Sequence, residues 1–203
     1  MNRRLKKLAE AHLPTRWGAA RIMVFGHSDD DPLPHVALAF EPFDPQKVVN
    51  LRIHSECFTG DVLHSLRCEC GSQLDKACQY LAQHGGLLIY ARQEGRGIGL
   101  TNKIRAYALQ DQGLNTVEAN LRLGFDADMR HYEDVVQILQ MLHIDKVHLL
   151  TNNPDKVNAL ERAGIKVIRR IPLLGQTCAH NYRYLMDKKV HLGHIIPLDD
   201  NNE

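Results

Sequence analysis

The alternation of apolar and polar positions in the first forty residues predicts an antiparallel region. Apolar-rich segments at 21–25 and 35–40 have the length of strands, and the polar, proline-bearing loop 27–34 separates them. Residues 1–14 contain the string LAEAHLP, which fits either a strand or a short helix. The pattern therefore predicts two neighbouring strands and leaves the first segment open.

The pattern becomes helical from Ser72 onward. Apolar residues recur at helical spacing, at Leu74, Ala77, Cys78 and Leu81, until two glycines end the segment. A buried strand at 87–90 and a glycine-rich loop at 92–99 follow. A second helix over 102–112 then closes at a glycine.

The last third of the chain predicts a strand–helix–strand unit. A helix over 132–142 precedes a strand at 146–150. Asn153 is placed to cap the next helix and Pro154 to occupy its first position, before a strand at 165–168. That spacing is typical of a βαβ unit. The whole sequence predicts a mixed α+β or α/β fold, in which N-terminal antiparallel strands are followed by a βαβ-containing mixed sheet with flanking helices.

Length and charge narrow the function. The chain has 203 residues, which we expect to form a single domain with a polar tail at 196–203. Its 25 basic and 24 acidic residues leave a formal charge of +1, too little to gather nucleic acid or membrane lipid, so an anion site must be a local cluster. No apolar run reaches the ~20 residues that span a bilayer, and the N-terminus has no secretory signal. We expect a cytoplasmic protein without a nucleic-acid or membrane partner.

Three of the five cysteines lie close together in the sequence, at Cys57, Cys68 and Cys70. Three thiols from a short segment suit a tetrahedral zinc ion with water in the fourth position, which is the pattern of a catalytic site. His54 and His64 lie nearby and could close the site instead. The alternative is a set of buried, inert thiols. The other two cysteines fit ordinary packing.

Two turns between a strand and a helix carry the chemistry of phosphate binding. The loop 92–99 (RQEGRGIG) combines glycines, whose backbone N–H groups can approach an anion, with Arg92 and Arg96, which can fork onto phosphate. The turn 151–156 (TNNPDK) has a hydroxyl and a lysine at its mouth and could hold a second phosphate. The alternatives are a solvated turn and a plain helix cap. A third loop places Asp128 two residues before Arg130, which by itself fits a surface salt bridge.

Six segments, in register, resemble the GTP cyclohydrolase II family. They are RIHSECFTG at 52–60, SLRCECG at 65–71, RQEGRGIGL at 92–100, NKIRAYALQDQG at 102–113, TVEAN at 116–120 and LLTNNP at 149–154. The likeness extends over about residues 5–195. Residues 173–183 match the family only loosely, whereas Tyr184-Leu185 and Gly193-His194 match it.

The resemblance implies an activity and a set of site residues. The family converts GTP to 2,5-diamino-6-ribosylamino-4(3H)-pyrimidinone 5′-phosphate, formate and pyrophosphate, the first step of riboflavin biosynthesis. By resemblance, Cys57, Cys68 and Cys70 hold one Zn²⁺, and Asp128 (proton acceptor), Arg130 (nucleophile) and Tyr107 are catalytic. The implied GTP contacts are Arg52, Ile53, His54, Ser55, Glu56, Gln73, Glu94, Gly95, Arg96, Thr116, Thr151 and Lys156. The resemblance further implies Mg²⁺ on the phosphates, a homodimer, and a monofunctional enzyme without the fused synthase domain that some family members carry.

Elementary chemistry qualifies two of these roles. Zinc held by three thiolates is a poorer Lewis acid than zinc held by neutral histidines, which predicts help from Tyr107 or Glu56. A guanidinium has no free lone pair at neutral pH, so either Asp128 removes a proton from Arg130 or Arg130 only stabilises phosphoryl charge. A related enzyme that stops at a formamide product, and a zinc- and nucleotide-binding module without catalysis, are the alternative functions. The near-zero net charge disfavours a nucleic-acid-binding zinc knuckle.

Overall fold

Seven strands join in one mixed sheet, in a computed structural model that describes residues 4–126 and 128–197. The strands are β1 (Lys6–Thr15), β2 (Gly18–Gly26), β3 (His35–Phe40), β4 (Val49–Ser55), β5 (Gly86–Ala91), β6 (Lys146–Leu150) and β7 (Lys166–Ile171). The helices are α1 (Phe58–Asp61), α2 (Cys70–His84), α3 (Gly99–Asp111), α4 (Thr116–Arg122), α5 (Glu133–Met141), α6 (Pro154–Arg162) and α7 (Tyr182–Leu192). A short 3₁₀ helix, Glu94–Gly97, lies between β5 and α3.

The sheet changes from antiparallel to parallel at β5. Its strand order is β1-β2-β3-β5-β4-β6-β7; β1 to β3 and β5 pair antiparallel, and β5, β4, β6 and β7 pair parallel. This arrangement confirms the predicted fold class, including the βαβ unit formed by β6, α6 and β7. The first segment, which the pattern left open, is a strand that pairs along its length with β2, from Lys6 opposite Gly26 to Thr15 opposite Gly18.

The strand β4 and three of the helices, α1, α4 and α7, were not predicted from the pattern. β4 has the sequence VNLRIHS, in which apolar and polar residues alternate, but its polar residues Arg52 and His54 are buried as well, with 5% and 2% of their surface exposed. The strand is therefore buried on both faces, whereas such alternation is typical of a strand with one exposed face. These two side chains face the site described below.

Helices cover both faces of the sheet. On one face, α5 and α6 contribute Val135, Ile138 and Leu160 to the larger core cluster. On the other face, α2 packs against the sheet through Ala77, Cys78 and Leu81, each with 0% exposure, as the helical spacing predicted. Leu74, the remaining residue of the predicted apolar stripe on α2, is partly buried against the same cluster.

The βαβ turn has the predicted cap. Asn153 has extended backbone angles, and its side-chain Oδ1 accepts a hydrogen bond of 2.9 Å from the N–H of Asp155. Pro154 occupies the first helical position, where the missing N–H costs nothing. The first turn of α6 is therefore firmly set at the carboxyl end of β6.

The predicted polar tail at 196–203 is only partly within the described residues. Ile196 is buried, and residues 198–203 of the predicted polar tail lie outside the described residues. Among the described ranges, no helix has the length and apolar content needed to cross a membrane. The expectation that 1–203 forms one domain stays a prediction.

We expect Leu81→Ala to lower the free energy of unfolding by about 2–5 kcal/mol, because it leaves a cavity under α2. Leu121 on α4 is 60% exposed, so Leu121→Ala is the matched control, with an expected change within about 0.5 kcal/mol. Denaturant-induced unfolding measures both values. Equal losses from the two variants would contradict the assignment of the inner face of α2.

Candidate functional site

A cleft opens at the carboxyl ends of the parallel strands, the usual place for ligands in sheets of this kind. The space in and above the cleft, including solvent at its mouth, is about 1000 Å³. All but two of the predicted site residues line the cleft. The predicted residues that line it are Arg52, His54, Ser55, Glu56, Cys57, Cys68, Cys70, Gln73, Glu94, Gly95, Arg96, Tyr107, Thr116, Arg130, Thr151 and Lys156. The structure therefore gathers segments that are up to a hundred residues apart in the sequence.

The two exceptions, Ile53 and Asp128, lie behind the cleft wall. The side chain of Ile53 is fully buried in the core, and only its carbonyl oxygen faces the site, where it accepts a 2.8 Å hydrogen bond from Lys156 Nζ. Asp128 binds Arg130, which does line the cleft. A direct side-chain contact of Ile53 with a ligand in this cleft is not what the geometry favours.

The three predicted zinc ligands converge. The Sγ atoms of Cys57, Cys68 and Cys70 all lie within 4.8 Å of one another, and those of Cys57 and Cys68 are 3.7 Å apart. A tetrahedral zinc ion with Zn–S bonds of about 2.3 Å needs sulfur atoms about 3.8 Å apart. The cluster can therefore hold a zinc-sized ion with little rearrangement.

A glycine cradles the thiols. A β-carbon on Gly60 would lie 2.9 Å from the Sγ of Cys68 and 3.1 Å from the Sγ of Cys57. Any larger residue would push into the cluster, so the turn of α1 that carries Gly60 must approach the sulfur atoms closely. This glycine is part of the segment SECFTG, but no sequence pattern indicated its role.

The thiols share one negative charge. Hydrogen bonds from Cys68 and Cys70 hold the pKa of the Cys57 thiol well below its usual range, and the Lys103 ammonium, 3.1 Å from Cys57 Sγ, adds to the effect. The same hydrogen bond raises the pKa of Cys68 to about 11, and the pKa of Cys70 is also raised. Binding a divalent metal would therefore displace protons from the two neutral thiols.

The two nearby histidines do not complete the thiol cluster. His64 is exposed. His54 Nδ1 accepts from Arg52, since arginine can only donate, so His54 Nε2 carries the proton and donates 3.1 Å to Asp61. Among the described histidines, cysteines and carboxylates, none joins the three thiols as a fourth ligand. The predicted alternative of a site closed by histidine therefore has no support in the geometry.

Asp61 organises the wall beside the thiols. Besides His54, its carboxylate accepts a hydrogen bond of 2.8 Å from the Tyr90 hydroxyl and one of 3.0 Å from the backbone N–H of Cys57. Burial lowers the pKa of His54, so this imidazole is neutral. Sequence spacing gave no sign of Asp61, because its partners come from two strands and a loop.

Tyr107 and Glu56, the two predicted helpers, both line the cleft with the thiols. Burial raises the pKa of Tyr107 to about 12, and the guanidinium of Arg67 lies 4.4 Å from the centre of its ring. Burial also raises the pKa of Glu56, although Arg92 pairs with it at 3.1 Å. Arg92 does not line the cleft. Its guanidinium pairs with Glu56 and is not placed to bind phosphate there, although the sequence predicted that role.

The lining is strongly cationic. Six of its residues are lysines or arginines and two are glutamates; the basic residues are Arg52, Arg96, Lys103, Arg130, Lys156 and Lys188. This local excess reconciles a chain of near-zero net charge with a site for a polyanion. Lys103 and Lys188 were not predicted, and no motif pointed to them.

The glycine-rich loop forms a left-handed turn. Gly95, Arg96 and Gly97 have φ values of 62°, 60° and 92°, a run that points successive N–H groups to one side. Within the described residues, the two terminal nitrogens of Arg96 are buried and have no hydrogen-bond partner. A buried, unpaired guanidinium is costly, and an anionic ligand would satisfy it. The backbone N–H of Met129 donates to the Arg96 carbonyl at 3.1 Å, which joins this loop to the Arg130 loop.

The turn after β6 presents a second cation. Lys156, on the first turns of α6, is buried with 5% exposure, and burial together with the nearby Arg52 and Arg130 holds its pKa well below the usual range. Thr151 is buried beside it. The N-terminus of a helix with an inward lysine is a favourable place for phosphate.

Arg130 is held by Asp128 as a close pair. Arg130 Nε donates to both carboxylate oxygens, at 2.8 and 3.0 Å, its terminal nitrogen donates to the same carboxylate, and its backbone N–H adds a fourth bond of 3.0 Å. Although burial opposes the charge, Asp128 raises the pKa of Arg130 above its usual value. The guanidinium therefore stays protonated in this arrangement.

Comparison with known proteins identifies the family of this chain. A model of the family described as GTP cyclohydrolase II matches residues 6–172. The chain is 51% identical to GTP cyclohydrolase-2 of Shewanella pealeana over 193 residues, which cover 95% of this chain and 92% of that one. It is 49% identical to GTP cyclohydrolase-2 of Histophilus somni strain 2336 over 194 residues, 95% and 89% of the two chains. A solved two-domain 3,4-dihydroxy-2-butanone 4-phosphate synthase from A. baumannii is 19% identical, with a TM-score of 0.46 over 86% of this chain and 41% of that one. The chain belongs to the GTP cyclohydrolase II family, a family of hydrolases.

Proposed function

We propose that this protein hydrolyses GTP to 2,5-diamino-6-ribosylamino-4(3H)-pyrimidinone 5′-phosphate, formate and pyrophosphate, in a zinc-dependent first step of riboflavin biosynthesis. The observation that carries the proposal is one cleft that combines three converging thiols with a cationic wall, in a chain of this family. The thiols suit ring opening at the base, and the cations suit the triphosphate. Both halves of the reaction thus have matching chemistry in one cavity.

The base half of the reaction would occur beside Cys57, Cys68 and Cys70, which we assign as the zinc ligands. Zinc with an open position supplies an activated water at neutral pH. Tyr107 and Glu56 line the same space and are our candidates for moving protons during formate release. The raised pKa of Glu56 favours this role, since a carboxyl that protonates closer to neutral pH both accepts and returns a proton.

The phosphate half would occur between Arg96, Lys156 and Arg130. Arg96 has unpaired donors, and Lys156 lies at a helix N-terminus. Arg130 is a stabiliser of phosphoryl charge in our proposal, not a nucleophile, because its pairing with Asp128 raises its pKa. Asp128 then acts by positioning Arg130. Mg²⁺ on the phosphates would supply the remaining positive charge.

The other GTP contacts carry over from the family as proposals. They are Arg52, His54, Ser55, Gln73, Glu94, Gly95, Thr116 and Thr151, together with the backbone of Ile53. Thr116 donates to Asp187 through both its N–H and its hydroxyl, and Gln73 bridges Arg52 and the carbonyl of Leu173. These hydrogen bonds fix the positions of the two side chains.

A product assay tests the proposed function. Purified protein is incubated with GTP and Mg²⁺, with and without a zinc chelator, and formate, pyrophosphate and product mass are measured. We expect equal amounts of formate and pyrophosphate, with formate lost on chelation. Pyrophosphate without formate in zinc-loaded protein would instead identify the enzyme that stops at a formamide. Binding of GTP and zinc without any product would identify a non-catalytic module.

We expect Gly60→Ala to reduce zinc binding, because its β-carbon would displace the sulfur atoms of Cys57 and Cys68. Metal analysis should show well under one zinc per chain and formate release reduced by at least about tenfold, the lower end of the effect of disturbing a metal's surroundings. Gly164→Ala is the control for a glycine whose role is backbone conformation alone: Gly164 has a φ of 81°, so alanine strains the backbone there, but its β-carbon meets nothing within 4 Å, and zinc content should stay full. Full zinc content in Gly60→Ala would contradict the assignment of the thiols as ligands.

A further inference from the structure

The C-terminal segment, residues 173–197, forms one wall of the cleft. Tyr184 and Lys188 on α7, and His194 after it, line the same space as the thiols and the phosphate-binding turns. The match to the family model ends at residue 172, and none of these three side chains was among the predicted ligand contacts. The fold therefore adds these three side chains to the site, although the sequence did not predict them as ligand contacts.

Asn152, in the turn after β6, fixes the position of this segment. Its side chain exchanges two hydrogen bonds with the backbone of Leu173, at 2.8 and 3.0 Å. Its carbonyl accepts a hydrogen bond of 2.9 Å from the N–H of Ile195. Both ends of the segment are therefore held by one residue of a proposed phosphate-binding turn.

Glu69 ties the segment to the thiols. Glu69 lies between Cys68 and Cys70, and its Oε2 accepts a hydrogen bond of 2.9 Å from the N–H of Gly175. Its Oε1 lies 3.2 Å from Lys188 Nζ, and both side chains are less than a tenth exposed. An ammonium has three donors, so this pair leaves Lys188 donors for a second acceptor.

Lys188 and Arg96 lie beside the same aromatic ring. The Lys188 Nζ is 4.6 Å and the Arg96 Cζ 5.6 Å from the ring centre of Tyr184. The terminal nitrogens of Arg96 have no hydrogen-bond partner among the described residues. Two cations beside one ring repel each other, and an anion between or near them would offset that repulsion.

The pKa of His194 responds to the cations of the cleft. Burial lowers the pKa of His194 to about 2, and the further causes are the positive charges of Lys188, Arg130, Arg96 and Lys156. His194 lines the same cleft as these four side chains. Four like charges around one space repel each other unless a polyanion fills it. The segment that carries His194 therefore faces the place where a triphosphate fits.

We propose that the C-terminal segment completes the triphosphate site and that Lys188 contacts the phosphates of the substrate directly. The inference rests on the proposed function for the identity of the substrate as GTP, but it concerns the binding of a polyphosphate, which can be measured without turnover. The competing explanation is that Lys188 only neutralises Glu69 and so holds the segment in place.

Calorimetry of zinc-loaded protein with inorganic tripolyphosphate, and separately with guanosine, tests the proposal. We expect Lys188→Met to weaken tripolyphosphate binding and to raise the KM for GTP by about tenfold or more, since a charge-assisted hydrogen bond contributes about 1.5–3 kcal/mol. Guanosine binding should not change. Lys76→Met is the matched control: Lys76 also tethers the segment, through a 2.9 Å hydrogen bond to the Leu174 carbonyl, but it is exposed and lies outside the cleft lining.

Glu69→Gln separates binding from positioning. If Lys188 contacts phosphate, Glu69→Gln keeps tripolyphosphate affinity, because the ammonium remains. If Glu69→Gln loses as much affinity as Lys188→Met, the pair is structural and the proposal is overturned. Should Lys188→Met fail to fold, the double variant Glu69→Gln with Lys188→Met leaves no unpaired buried carboxylate and must show the same loss.

Three outcomes are distinguishable from failure of the proposed function. Unaltered affinity for tripolyphosphate in Lys188→Met overturns the inference even if GTP is hydrolysed. Failure of the unaltered protein to bind tripolyphosphate also overturns it. A selective loss in Lys188→Met, in a protein that forms no product from GTP, supports the inference and refutes the proposed reaction.

Discussion

Cys70→Ser is expected to remove bound zinc and formate release together, with formate production reduced by at least about a hundredfold. Even outer-sphere partners of a metal cost 10–100-fold when they are replaced, and a direct ligand costs more. Serine keeps the shape of the side chain but replaces a soft, ionisable thiol with a hydroxyl that does not ionise at neutral pH. Metal analysis and a formate assay measure the two losses on the same sample.

Cys178→Ser is the matched control for this prediction. Cys178 is partly exposed, and its sulfur makes only a weak contact, 3.8 Å from the carbonyl of Leu66. The control should keep full zinc content and full activity. If Cys70→Ser retained one zinc per chain and normal formate release, the three thiols would have to be structural cysteines, and another group would have to activate water.

Chelation extends the same argument to the unaltered protein. Removing zinc should leave a protein with one thiolate at Cys57 and neutral Cys68 and Cys70, stabilised by their mutual hydrogen bonds and by Lys103. Because these hydrogen bonds hold the three thiols together without a metal, we expect the chelated protein to stay folded. Formate release should recover when zinc is returned.

The sequence predicted the outer parts of this fold better than its centre. The stripe on α2 and the cap of α6 follow from local rules, because spacing and capping are decided by neighbouring residues. β4 also alternates, as V-N-L-R-I-H, but it was not predicted, and its polar positions Arg52 and His54 are buried instead of exposed. The exception coincides with the site, where ligand binding takes precedence over the apolar pattern.

The same reasoning explains which site residues were found. Arg96 and Lys156 were predicted because they lie in strand-to-helix turns, which glycines or a proline mark in the sequence. No such signal marks Lys103, Asp61 or Lys188 in the sequence. Lys103 reaches Cys57 across 46 positions of sequence and Lys188 reaches Glu69 across 119, and contacts of that range are set by the whole fold.

Arg130→Lys is expected to reduce pyrophosphate release by about a hundredfold or more, the effect of removing one well-placed donor to developing charge. Lysine keeps the positive charge but cannot reproduce the planar fork that binds both oxygens of Asp128 through Nε and the terminal nitrogen. Pyrophosphate formation under single-turnover conditions measures the effect apart from formate release. Arg122→Lys, at an exposed position on α4, is the control and should show no change.

The pH dependence distinguishes the two roles that chemistry allows Arg130. A nucleophilic guanidine must first lose a proton, and its pairing with Asp128 raises its pKa, so pyrophosphate release would rise steadily with pH through the neutral range. A guanidinium that only stabilises charge is fully protonated throughout that range, so the rate should not depend on the protonation of Arg130. We expect the flat profile from pH 6 to about 9, within which arginine does not titrate. A rate that climbs tenfold per pH unit, and that Asp128→Asn abolishes, would instead support Arg130 as the nucleophile and Asp128 as its proton acceptor. A rate that Arg130→Lys leaves intact would exclude both roles and move the phosphate chemistry to Arg96 and Lys156.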